Sequence, residues 1–127
     1  MSKREIRSAA APAPGGTYSQ ALMVGDLVFT CGMGPIDPET GEVVGTDVAT
    51  QTRQVLANLA AVLAEAGLGL EDVVKSTVHL QELHRDFPEY DAVYREHFSE
   101  PYPVRTTVGS DLLNILVEID VVACKRT

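Results

Sequence analysis

Tryptophan is missing from this chain of 127 residues, and aromatic residues of any kind make up only 6% of it. Cysteine is nearly missing too. Cys31 and Cys124 stand far apart with no CxxC or CxxH neighbourhood, which excludes a zinc-ribbon pattern and does not demand a disulfide. Positive charge is scarce: ten Lys and Arg face 18 Asp and Glu, a net charge of −8 with a sequence pI near 4.7. Such a balance repels phosphate backbones and anionic lipid heads, so neither nucleic acid nor a membrane surface is an expected partner. The basic residues are scattered except for Lys3-Arg4-Arg7 and Lys125-Arg126, which read as solvated termini. Long hydrophobic runs are lacking as well, and none approaches the ~20 apolar residues of a membrane span. Residues Met1 to Gly16 carry early positive charge but only a short Ala/Pro stretch where a signal peptide needs an apolar segment. A cytoplasmic location is expected.

What is present is enough for a core. Hydrophobic residues make up 45% of the chain and charged residues 22%, with no low-complexity tract, so one domain spanning 1–127 is expected, with residues 1–16 as a flexible lead. Ala21-Leu22-Met23-Val24 and Leu27-Val28-Phe29-Thr30 flank Gly25-Asp26, the pattern of a β-hairpin. Turn residues from Pro35 to Gly41 make a loop. From Asp47 the period becomes helical through Val55, Leu56, Leu59, Val62 and Leu63, with Gly67 as its stop. Val73 to Leu80 is β-branched and reads as a strand. Asp86 and Glu89 resemble a capping box opening a second helix whose apolar face holds Tyr90, Val93, Tyr94, His97 and Phe98. Strands Val104 to Val108 and Leu116 to Cys124 complete the order β, β, α, β, α, β, β.

Two helices cover one face of a sheet. Along the last strand Val117, Ile119, Val121 and Ala123 alternate with Glu118, Asp120, Val122 and Cys124, so the second face is half apolar and calls for other copies of the chain. Two charges stand out in these strands: Arg105 in Pro103-Val104-Arg105-Thr106-Thr107-Val108, and Glu118 in Leu116-Val117-Glu118-Ile119. Desolvating either costs several kcal/mol unless something compensates. One reading is a structural salt bridge or a solvated strand face. The other is a site in which Arg105 forks onto a substrate carboxylate and Glu118 does acid/base work. A plain hairpin centred on Asp111 and Leu112 sets the two opposite each other, whereas an intervening strand separates them by roughly 10 Å.

The order of these elements, together with Gly16-Thr17-Tyr18-Ser19-Gln20, Thr30-Cys31-Gly32, Asp37-Pro38-Glu39-Thr40-Gly41, Gln54 to Leu59, Pro103 to Val108 and Val117-Glu118-Ile119, resembles the Rid (YjgF, endoribonuclease L-PSP-like) family over nearly the whole length. The resemblance implies an α+β fold like that of Bacillus chorismate mutase: a single mixed β-sheet with two helices on one face, assembling as a homotrimer with active sites between subunits. It implies hydrolysis of reactive 2-imino acids and their enamines to 2-keto acids and ammonia, with neither metal nor cofactor.

On that resemblance Arg105 is the substrate arginine, and Glu118 positions water and shuttles a proton. Tyr18 matches a cleft tyrosine, catalytic or packed beside the first strand. Cys31 and Gly32 occupy pocket positions where Ser-Gly is usual. Thr107 stands in place of a Cys that contributes its backbone carbonyl, Asp91 in place of an Asn, and Met33 in place of a Gln. An acid at Asp91 beside an anionic substrate is unfavourable on its face. A non-catalytic trimeric module that binds or senses a small carboxylate is the second reading, and an RNA-cleaving translation inhibitor a distant third. His79, His84 and His97 share no metal-ligand spacing.

Overall fold

The computed structural model describes residues 2–126 of the chain. Its strands are β1 (Arg4–Ile6), β2 (Ala21–Val24), β3 (Leu27–Thr30), β4 (Val73–Leu80), β5 (Val104–Gly109) and β6 (Val117–Cys124), and its helices are α1 (Val48–Glu65) and α2 (Leu83–His97). The six strands form one sheet in the order β1-β2-β3-β6-β4-β5. Only β4 and β5 run parallel, joined by α2, so the sheet is mixed. This is the expected α+β architecture with two helices on one face.

Local chemistry accounts for the elements that position the site. The β2–β3 turn is Gly25-Asp26, with Gly25 at φ 58°, a left-handed conformation that glycine adopts without a Cβ clash. Asp47 caps α1, its side chain accepting the Thr50 N–H at 2.9 Å. Val55, Leu56, Leu59, Val62 and Leu63 of α1 are fully buried against the sheet, each contributing roughly 1.5–3 kcal/mol by leaving water. From the sheet they meet Val28, Val78, Val117 and Ile119, also fully buried. The alternate residues of β6 face away from the helices and are half-buried.

Two expectations need correction. The described part of the lead, residues 2–16, is tied to the sheet. Arg4–Ile6 pairs with β2, Ile6, Ser8 and Ala11 are buried, and the Gln20 amide ties the segment down. It accepts the Ser8 N–H at 2.7 Å and donates to the Ser8 and Pro12 carbonyls at 3.1 and 2.8 Å. The second helix starts at Leu83, three residues before the Asp86 start read from sequence, and has no side-chain cap. Tertiary packing fixes that extra turn. Leu83 lies against Gly109 at the end of β5, where an added Cβ would be only 3.4 Å from the leucine Cβ.

Candidate active site

Arg105 lies on the edge strand of the sheet and turns toward α2. Its register partner Ser76 also faces the helix, hydrogen-bonded to the Tyr94 hydroxyl at 2.7 Å. The guanidinium carbon sits 4.7 Å from the Tyr94 ring centroid, 5.5 Å from Tyr90 and 5.7 Å from Phe87, a class of contact worth about 0.5–1 kcal/mol at exposed sites and more when desolvated. Nη1 donates to Asp91 Oδ1 at 2.7 Å, and Arg95 Nη2 donates to the other Asp91 oxygen at 3.0 Å. Thr107, two residues along β5, meets the Tyr90 hydroxyl at 3.2 Å. A cavity of about 400 Å³ opens here, lined by Asp91, Tyr94, Arg95, Tyr102, Pro103 and Arg105.

The electrostatics favour a fixed cation. Burial pulls the Arg105 guanidinium down, but its hydrogen bond to Asp91 and the nearby Tyr90 outweigh that and leave it above the ordinary arginine range. Burial pushes the Tyr90 hydroxyl up to about 12 and raises Tyr94 as well. Both phenols therefore stay neutral near neutral pH and act as hydrogen-bonding groups.

Glu118 belongs to a second group of residues. It lies on β6 facing away from the helices, and its carboxylate covers Gly32, where an ideal Cβ would fall 2.6 Å from Oε2. Gly32 has no side chain because Glu118 occupies that space. The loop after β3 is fixed from two sides. Met33 exchanges backbone hydrogen bonds with Ile119 at 2.8 and 3.1 Å, and the Asn58 amide of α1 donates to the Gly34 and Ile36 carbonyls at 3.1 and 2.9 Å. Gln54 holds Asn58 in turn at 2.9 Å.

Tyr18, Cys31 and Gly32 line a cavity of about 490 Å³. The Tyr18 hydroxyl accepts the Gly15 N–H at 3.0 Å while its ring stays half exposed. Burial, reinforced by the Glu118 charge, pushes the Cys31 thiol up, so it is a protonated pocket wall and a poor nucleophile. Within one chain the two groups do not meet. Strand β4 separates β5 from β6, and Arg105 and Glu118 point to opposite faces.

The direct Arg105–Glu118 pair is therefore absent, as the intervening-strand geometry requires. The carboxylate beside Arg105 is Asp91, which is also no loose acid in the pocket, since each of its oxygens meets an arginine. Arg95 escaped the sequence reading. Its signal was the Asp91–Arg95 spacing of four on a helix, acid first. His79 hydrogen-bonds Ser110 at 2.7 Å and is the register partner of Glu118 across the β4–β6 ladder, whereas His97 bonds the Val93 carbonyl of its own helix at 2.8 Å.

Residues 8–125 match the family model described as Endoribonuclease L-PSP. A RutC family protein of Pyrococcus abyssi is 46% identical over 128 residues, covering 99% of this chain and all of that protein. RidA from an Antarctic Psychrobacter superposes with a TM-score of 0.89 at 40% identity, covering 95% of this chain and 98% of that one. E. coli TdcF, whose crystal structure holds a bound serine, superposes equally well at 35% identity, covering 97% and 99%. With a family match over nearly its full length and relatives well above the identity at which fold and family coincide, the chain belongs to the Rid family, the same group that carries the names RutC and endoribonuclease L-PSP.

Proposed function

We propose that the protein hydrolyses 2-imino acids to 2-keto acids and ammonia in clefts formed where the Arg105 group of one copy meets the Glu118 group of the next. The observation that carries this reading is the division of labour within one chain: a rigid, partly buried cation at the sheet edge and a carboxylate over a bare glycine on the opposite face. Each is half of a site for a small anion and its water. The open face also carries Leu27, Phe29, Val104 and Val108, all exposed apolar side chains, which a homotrimer would cover.

The chemistry needs few groups. Arg105 takes the substrate carboxylate through its planar fork, which a lysine could not match. Glu118 accepts a proton from water as the water oxygen bonds to the imine carbon and the C=N π electrons move to nitrogen, then passes that proton to the nitrogen, leaving a carbinolamine and an ionised Glu118. In the second step Glu118 relays the carbinolamine hydroxyl proton to nitrogen, the C–N bond breaks, ammonia leaves and the carbonyl forms. Such acid/base work supplies about 10² to 10⁴ in rate. The bound serine of TdcF, a small carboxylate, supports a pocket for ligands of this size. The ribonuclease reading has the net charge of −8 against it.

The test uses imines generated in situ by an amino-acid oxidase, with ammonia and keto acid followed over time. The wild type should release both faster than spontaneous hydrolysis, and Arg105→Ala and Glu118→Gln should each abolish the excess. Glu118→Gln should still bind 2-ketobutyrate. Release no faster than buffer, or variants as active as the wild type, would overturn the assignment, and a Glu118→Gln chain that both binds and turns over normally makes Glu118 structural.

A further inference from the structure

Asp91 occupies an unusual place for an acid, directly beside the cation that is to hold an anion. Its Oδ1 meets Arg105 Nη1 at 2.7 Å and its Oδ2 meets Arg95 Nη2 at 3.0 Å. Two guanidinium groups and one carboxylate leave a single net positive charge at the mouth of the cavity shared with Tyr94 and Tyr102. Among the described residues the Arg105 guanidinium donates only through Nη1 to Asp91, so its other N–H groups are left for a ligand carboxylate that shares the fork with Asp91. A carboxylate docked there comes to rest near Asp91. A plain anion is repelled by that neighbour.

A ligand with a cationic nitrogen one carbon from its carboxylate reverses the sign. The charges then alternate around a closed ring: guanidinium, ligand carboxylate, ligand nitrogen, Asp91 carboxylate. A protonated 2-imino acid has this form, whereas the 2-keto acid made from it has lost the nitrogen and keeps only the anion. We propose that Asp91 is a specificity-determining residue that reads the iminium charge, favouring the imino acid over its own keto-acid product. The proposal rests on the imino-acid reading above and assigns to the helix α2 acid a role distinct from carboxylate binding. Arg95 is its positioning residue, holding Oδ2 so that Oδ1 stays at Arg105.

The experiment compares two stable ligands of one carbon skeleton by titration calorimetry: L-2-aminobutyrate, a zwitterion, and 2-ketobutyrate, a plain anion. The wild type should bind the zwitterion more tightly, and the reverse order overturns the proposal without any variant. Asp91→Asn and Asp91→Ser, two neutral replacements of different size, should shift the ratio of affinities toward the keto acid by at least tenfold, about 1.4 kcal/mol, and should sharpen product inhibition by 2-ketobutyrate. An unchanged ratio in an active, folded variant overturns the role of Asp91 alone. A wild type that binds neither ligand and releases no ammonia overturns the functional reading with it.

Discussion

Gly32 shows how much one absent side chain can decide. The Glu118 carboxylate fills the volume a methyl group would need, with Oε2 2.6 Å and Cγ 3.2 Å from an ideal Cβ, so Gly32→Ala forces the carboxyl end to swing aside. Because that end is flexible, the fold should tolerate the change. We expect kcat for imine hydrolysis to fall at least tenfold with the melting temperature close to wild type; an unchanged kcat would mean that Glu118 does not act from this position. Arg105 and Glu118 were legible in the sequence because charges inside apolar strands demand a reason. The pairing of Arg105 with Asp91 was not, because it depends on how α2 lies across the edge strand, and Asp91 read locally as a repulsive acid.

Helix α1 carries the second group of site residues through Asn58, so its N-terminal cap bears on the site from a distance. Asp47 Oδ2 accepts the Thr50 N–H and Oδ1 the Thr50 hydroxyl, and these bonds hold its carboxyl below the ordinary 3.8. A depressed folded-state value means that the stabilisation is fully present above the unfolded value and is lost as pH falls through the folded one. Asp47→Ala should therefore melt at a lower temperature at neutral pH, with the gap narrowing in acid, while Asp47→Asn keeps most of the cap. Thermal melts followed by circular dichroism at neutral pH and at about pH 3 check this, and a gap that widens in acid refutes it. Elements with local punctuation were readable: Gly25-Asp26 set the hairpin, and Asp47 and Gly67 bounded α1. The start of α2 and the strand β1 were not, because Leu83 against Gly109 and Gln20 against Ser8 act across the fold.

At the scale of the whole molecule the sheet has one covered face and one open one. Phe29, 43% exposed, sits on the open face opposite Val122 of β6, and burying a phenylalanine is worth about 1.5–3 kcal/mol. Phe29→Asp should shift the chain from trimer to monomer in sedimentation velocity and remove imine hydrolysis with it; a wild type that sediments as a monomer at micromolar concentration refutes the assembly outright. That such a face existed was legible from the alternation along β6, whereas its geometry came only with the strand order. Strand β4 lies between the two charged strands, so in the proposed trimer each copy would give its arginine to one cleft and its glutamate to another, the copies meeting head to tail in a closed ring. Two defects that are each fatal should then complement. Arg105→Ala and Glu118→Gln chains, unfolded together and refolded as mixed rings, should recover about a quarter of wild-type activity by random assortment, because one cleft in four inherits its arginine from one parent and its glutamate from the other.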